Sequence, residues 1–504
     1  MEPVIKTGYY KKIILSIAAG ISIPLAYAPF NIALIGFISI AILFYLWDDA
    51  NPRSAFITGY VFGFSMFGTG VNWLHISINL FGGVSLVGAY FITYLLVAFL
   101  ALYPAITGFI CCKYSKNNRY LGLLVLMPAV WTLAEWCRSW IFTGFPWLNL
   151  GYSQTDTLLA GVAPVSGVYA VTWLVCTCAA LVVALFKVAA RLKGVVVLAV
   201  VCIWTFAAAV LGINWTTAGT GGQRSVALIQ AAIPQELKWS PELQQHTISL
   251  YTSLSDPFWG NDLVIWPETA IPMFYHQAAG TVLEPLRAQA VTHDTDLITG
   301  IPSRDTDSQK YFNSIVVIGS TNDIYNKRHL VPFGEYLPLD RWLRPLLNAL
   351  HIPISSFSPG TGRPLVHAAG AAIGVSICYE DVFGEEIIDA LPEANLLVNV
   401  SNDAWFGDSL APHQHLQMAR MRAIETGRYM LRATNTGISA IIDERGNIVS
   451  QTAQFKPEAI SGNVKLFTGM TPYARYGNIP VILFEFLLCL VIVFYNYRFG
   501  RTKK

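Results

Sequence analysis

The apolar residues of this chain follow two rhythms. Over the first 215 positions, and again near the C-terminus, they form runs long enough to cross about 30 Å of hydrocarbon. These runs are 12–29, 31–47, 54–75, 84–112, 121–141, 160–186, 194–213 and 479–497, and they predict eight transmembrane helices. Between the seventh and the eighth, charges and turn dipeptides return and the apolar stretches shorten to strand length.

In that middle region "SVALIQAAIPQ" (225–235), "DLVIWPETA" (262–270), "DLITGIPS" (296–303), "NSIVVIGS" (313–320), "DIYNKRHLV" (323–331), "AAIGVSICY" (371–379), "ANLLVNVSN" (394–402) and "GISAIIDE" (437–444) read as strands. Helical spacing intervenes at 241–255, 281–293, 384–391 and 412–427. Strands that are apolar on both faces and alternate with helices indicate sheets covered by helices, so the region predicts an α/β layered domain. The chain divides into a seven-helix membrane domain (1–215), a globular domain (220–470) and a C-terminal transmembrane helix with a basic tail (478–504).

Composition agrees with a membrane protein: 54% of the 504 residues are hydrophobic and 13% are charged, which excludes an ordinary soluble chain. The positive charges set the orientation. Lys6, Lys11 and Lys12 precede the first run, Arg53 lies between the second and third, and Lys113, Lys116 and Arg119 lie between the fourth and fifth. Lys187, Arg191 and Lys193 lie between the sixth and seventh, and Arg498, Arg501, Lys503 and Lys504 close the chain. The alternate connections offer only Arg138. Both termini are therefore expected in the cytoplasm and the globular domain on the opposite side, which in a bacterial cell is the periplasm. "AYA" (26–28) resembles a signal cleavage site, but Pro29 disfavours cleavage there and the charge pattern needs the first helix, so it reads as an anchor.

Candidate chemistry concentrates at strand ends. Of eight cysteines, only Cys378 lies outside the long apolar stretches. A disulfide would need a partner there, and zinc-type spacing a second Cys or a paired His, which leaves a structural thiol or a nucleophile. Glu268 follows one apolar strand, Lys327 another and Cys378 a third, with Glu335 eight residues after Lys327. A carboxylate in a dry pocket takes a thiol's proton, and a lysine beside it stabilises thiolate and oxyanion. Each residue alone also reads as a salt bridge or a cap. Glu135 and Arg138, one turn apart near a membrane boundary, read either as functional intramembrane charges or as a self-neutralising i,i+3 pair. His413 and His415 open a helix two positions apart, a poor arrangement for a metal.

Glu268, Lys327 and Cys378 in these contexts resemble the Glu-Lys-Cys triad of the nitrilase superfamily, and Glu335 matches its second glutamate. With a membrane domain in front and a helix behind, "WPETA", "KRHLVPFGEYLP", "CYED" and "NVSNDAWFG" make the whole chain resemble the apolipoprotein N-acyltransferase family. The resemblance implies an α-β-β-α sandwich beside eight transmembrane helices, located in a bacterial inner membrane with the catalytic domain periplasmic. It implies transfer of an acyl chain from a membrane phospholipid, through a Cys378 thioester, to the α-amino group of a diacylated apolipoprotein. Glu268 would act as general base and acid, Lys327 and the backbone N–H of Tyr379 as oxyanion hole, and Glu335 would orient the Glu268–Lys327 pair. Glu380 reads as a site residue or a loop salt bridge, and Trp239 as a wall of the substrate path or plain core. No metal, dissociable cofactor or nucleic acid is expected. A membrane-tethered amidase and a transporter or scaffold with an inactive domain are the alternatives. Finally, Trp342, Leu343, Leu346, Leu347 and Leu350 in "LDRWLRPLLNALHIPI" (339–354) recur at helical spacing beside Arg341 and Arg344, the pattern of a lid dipping into a membrane interface or of a stripe packed on the core.

Overall fold

A computed structural model of the chain describes residues 2–115, 118–341, 344–345 and 356–499. It separates into two compact units: Met1–His75, Val87–Ile213 and Tyr476–Lys504 form one, and Ile76–Leu86 with Asn214–Arg475 form the other.

The first unit is helical because its sequence offers long apolar runs and few competing polar side chains. Five described spans are long and apolar enough to cross a membrane: Leu86–Tyr114, Arg119–Arg138, Leu158–Leu185, Ala190–Leu211 and Ile479–Asn496. The run at 54–75 is not one straight helix. Pro52–Gly70 stops, and Leu74–Leu80 leaves at 56°; counted as one broken span, the pair makes six. The stop is local: Val71 leaves helical geometry and the Trp73 indole donates to the Gly70 carbonyl at 3.1 Å. Leu34–Asp48 is a shorter apolar helix, and Glu2–Ser22 precedes it. Small residues let helices approach closely, as they do where lipid supplies no hydrophobic drive. A Cβ on Gly20 would lie 2.4 Å from the Phe62 carbonyl oxygen, and one on Gly59 would lie 2.5 Å from that of Pro104.

Glu135 and Arg138 do not neutralise each other by direct hydrogen bonding. Glu135 accepts from the Trp131 indole, the Leu150 N–H and the Thr172 hydroxyl at 3.0, 3.0 and 2.8 Å. Arg138 donates to the carbonyls of Phe145, at 2.8 Å, and Trp147, and to the Asn149 side chain at 2.6 Å. Both therefore pin the irregular segment after their helix, whose backbone groups need partners inside a membrane protein. Besides these two, Glu485 on the last helix is a fully enclosed ionisable residue, which the apolar neighbours in "FEFLL" hide from a reading of hydropathy.

The second unit is a two-sheet sandwich. Strands β1 (Thr217–Gln230), β2 (Leu263–Ile265), β3 (Asp296–Arg304), β4 (Tyr311–Ile318) and β5 (Ile324–Asn326) join β12 (Glu458–Thr468) in the order β12-β1-β2-β3-β4-β5. The other sheet is β11-β10-β9-β8-β7-β6, comprising β6 (Leu365–Ala368), β7 (Ala371–Ile377), β8 (Leu396–Ser401), β9 (Met430–Thr434), β10 (Ala440–Ile442) and β11 (Ile448–Gln451). Between the sheets lies one apolar core with Val226, Leu228 and Ile265 from the first and Ile373, Ile377 and Val398 from the second. The outer faces are covered by Pro241–Ser255 and Glu284–Thr292 on one side and Ala411–Thr426 on the other. The expected α-β-β-α layering is thus realised. Where strands pair in parallel, as at Val226–Leu228 with Leu263–Ile265 and Ile373–Ile377 with Leu396–Val400, they are buried on both faces, as a covered sheet requires.

Candidate active site

The three singled-out residues leave the carboxyl ends of three strands. Lys327 follows β5 directly, Cys378 follows β7 directly, and Glu268 stands three residues beyond β2. Glu268 and Lys327 therefore belong to one sheet and Cys378 to the other.

Lys327 is buried at 1% side-chain exposure, with its ammonium 2.8 Å from Glu335 and 4.0 Å from Glu268. Asn313, at the start of β4, donates from one amide nitrogen to Glu268 Oε1 at 2.7 Å and to Glu335 Oε1 at 3.1 Å. The second oxygen of Glu335 accepts from the Val331 N–H at 2.8 Å. Burial opposes the Lys327 charge, but Glu335, Glu268 and Cys378 outweigh it and push the ammonium above its ordinary range. Glu268 Oε2 is buried and has no hydrogen-bond partner among the described residues, which leaves it an acceptor without a proton to accept.

Cys378 has a left-handed backbone, φ +51°, at the start of a short turn, Cys378–Val382. Such a conformation costs an L-residue about 1 kcal/mol or more and persists only when its surroundings over-determine it. The surroundings here are Asn399, which donates to the Cys378 carbonyl at 3.3 Å, and Glu380, which accepts from the Ile377 N–H at 2.7 Å. The half-buried thiol packs against the inter-sheet core. Burial pushes its pKa up, Glu268 adds to the rise, and Lys327 pulls the other way. The resting group is therefore the thiol rather than the thiolate.

Glu380 is no loop salt bridge. It is 2% exposed, and besides Ile377 it accepts from the Tyr325 hydroxyl at 2.7 Å, the Arg328 N–H at 2.6 Å and the His329 N–H at 3.2 Å. One carboxylate thereby ties the Lys327 loop to the Cys378 turn. Tyr379, 9% exposed, sets its ring edge-on to Phe383. Trp239 is not core: it is 49% exposed. His413 faces Gln454 at 2.9 Å, not His415. Trp342, Leu343, Leu346, Leu347 and Leu350 of the expected lid lie outside the described residues.

Behind Cys378 stands a buried group that residue-by-residue reading missed. His415 lies 2.7 Å from Asp381 and 3.0 Å from Asp403, and Arg432 bridges the same two carboxylates at 2.9 and 3.0 Å. Arg432 also donates to Asn399 at 2.6 Å, so the cluster reaches the Cys378 carbonyl through one amide. Burial and Arg432 oppose the His415 charge, yet Asp381 and Asp403 raise its pKa. Lys238, a neighbour of Trp239, was missed as well; it is 3% exposed and donates to the Glu268 carbonyl at 2.9 Å.

Residues 225–468 match the carbon-nitrogen hydrolase family, and residues 19–181 match the apolipoprotein N-acyltransferase N-terminal domain. The chain is 44% identical over 473 residues to the apolipoprotein N-acyltransferase of Methylococcus capsulatus, covering 94% of each chain. It is 42% identical to that of Nitrosomonas europaea, covering 96% of this chain and 97% of the relative. Against that of Vibrio cholerae it is 38% identical, covering 92% and 93%. With both domains matched and the likeness running nearly end to end, the chain belongs to the apolipoprotein N-acyltransferase family.

Proposed function

We propose that the protein moves an acyl chain from a membrane phospholipid to the α-amino group of a diacylated lipoprotein N-terminus, with Cys378 as the covalent carrier. The observation that carries this reading is the buried Oε2 of Glu268, without a hydrogen-bond partner among the described residues, on a carboxylate already fixed through its other oxygen by Asn313. Glu268 takes the Cys378 proton, and the thiolate attacks the acyl ester carbonyl. The resulting oxyanion is stabilised by the Lys327 ammonium and the Tyr379 N–H. Glu268 returns its proton to the leaving lysophospholipid oxygen, and a thioester remains. The acceptor amine then attacks the thioester, losing a proton to Glu268, which passes it to the departing sulfur. Glu335 orients Lys327 and Glu380 fixes the Cys378 turn, while the exposed Trp239 borders the substrate path.

The same reading has eight membrane crossings, cytoplasmic termini and a periplasmic catalytic unit in a bacterial inner membrane. Contacts within the helical unit support the orientation. Arg119 and Lys187 both reach Asp48, at 2.7 and 2.6 Å, which brings three of the basic connections to one face. Asn496, near the end of the last helix, donates to the Tyr114 carbonyl beside that face.

The test is single turnover. Phospholipid alone should load the protein with one acyl group in a hydroxylamine-sensitive bond, and Cys378→Ala should abolish loading. Glu268→Gln and Lys327→Ala should slow it at least about 10²-fold. A diacylated peptide should discharge the thioester much faster than water. Discharge by water at the same rate with or without peptide would make the protein a hydrolase, and normal turnover in Cys378→Ala would make the sulfur structural.

A further inference from the structure

The turn preceding Pro241–Ser255 is inside out. Leu237 and Trp239 are 45% and 49% exposed, while Lys238 between them is 3% exposed. Burying an ammonium while exposing its apolar neighbours opposes the hydrophobic effect, and lysine is almost never fully buried without a partner. The hydrogen bond it makes goes to the backbone carbonyl of Glu268 at 2.9 Å, not to a carboxylate.

That carbonyl lies at a constrained point. Thr269, the next residue, has φ +49°. A Cβ on Gly300 would come within 2.7 Å of the Glu268 Cα, so only glycine allows the strand to lie there. Asn313 fixes the Glu268 side chain, and Lys238 fixes its peptide.

Charge gives Lys238 a second part. The groups whose charge acts on it are Glu268 and Cys378; Lys327 lies 4.0 Å from Glu268 and 2.8 Å from Glu335, and Asp403 and the Arg432 paired with it also act on Cys378, with opposite signs. Two carboxylates, Glu268 and Glu335, meet two ammonium groups, Lys327 and Lys238. Moving a proton from Cys378 to Glu268 leaves this set neutral. Without Lys238 the same transfer takes place in a set carrying one net negative charge, which disfavours a thiolate.

We propose that Lys238 is a positioning residue of the acyl-transfer site, fixing the peptide that carries Glu268 and supplying the second positive charge under which Cys378 ionises. This rests on Cys378 and Glu268 acting as nucleophile and base. Burial draws Lys238 down to about 8, against the pull of Glu268 and Cys378, so its charge is present at neutral pH and fades in mild alkali.

The experiment follows iodoacetamide alkylation of the Cys378 peptide by mass spectrometry in the full-length, detergent-solubilised protein. It runs from pH 6.5 to 10, alongside acyl loading from a phospholipid with a labelled acyl chain. Lys238→Met should alkylate about tenfold more slowly than wild type near pH 7, one unit of thiol pKa, and the difference should close above about pH 9 as wild type loses its own charge. Lys238→Arg should keep the wild-type rate at neutral pH and exceed it above pH 9. Coincident alkylation profiles for Lys238→Met and wild type would overturn the proposal, including when loading alone is slowed, since that is a purely structural effect. If Lys238→Met does not fold, Lys238→Arg against wild type above pH 9 decides the matter, and equal rates there overturn it. Acyl loading of Cys378→Ala would instead overturn the underlying reading of the site.

Discussion

Asn313 and Glu268 share a 2.7 Å hydrogen bond whose donor nitrogen also serves Glu335. One neutral amide thus keeps two carboxylates apart and aimed. Asn313→Asp would replace this shared donor with a third acceptor facing both carboxylates. Acyl loading at neutral pH should fall at least about 10²-fold. Asn313→Ala, which removes the donor without adding a charge, should slow loading less.

A reporter joined after residue 220 should lie outside the cytoplasm, and one joined after residue 504 inside it. Alkaline phosphatase and fluorescent-protein fusions read the two sides. Activity of both on one side would refute the eight-helix arrangement.

Glu380→Gln exchanges an acceptor of four hydrogen bonds for an amide with one oxygen, leaving buried N–H groups at Ile377 or Arg328 without a partner. A loss of about 2 kcal/mol in stability is expected, visible as a lower unfolding temperature in detergent. Loading should slow as well, because the Lys327 loop and the Cys378 turn lose their shared tie.

His415 contributes stability with a defined pH sign. Its pKa is raised in the folded protein by Asp381 and Asp403, against burial and Arg432. The contribution is therefore complete below the unfolded value of about 6.5 and is lost as pH rises through the folded value. His415→Ala should cost about 3 kcal/mol at pH 6, with a smaller deficit in alkali. Thermal unfolding of wild type and variant across that range checks both points.

The acids and bases at strand ends were legible because β2 and β7 announce themselves as buried, β-rich runs, and a charge directly after such a run has nowhere to go but a loop; β5, three residues long with Ile324 half exposed, is marked instead by the charges that follow it. Lys238 was not legible: local pattern favours burying Trp239 and exposing the lysine, and only Glu268, 30 positions away, reverses it. β9 escaped for a related reason. Arg432 in its middle contradicts a strand buried on both faces until Asp381 and Asp403, carried in by other segments, meet it. In the membrane unit, apolar length located the helices but not the 56° break after Gly70, which depends on a few backbone angles rather than on hydropathy.

Glu268 and Cys378, the proposed base and nucleophile, ride on different sheets, so no strand or hairpin sets the gap between them. The apolar layer does: Ile265, Ile377 and their neighbours act as a spacer, as shims fix the gap between two plates roughly 10 Å apart. Proton transfer is steeply sensitive to distance, whereas folding tolerates a methyl group more or less. Substitutions such as Ile373→Val, deep in the sandwich, become a fine adjustment on the rate, and turnover becomes a gauge of how tightly two sheets are packed.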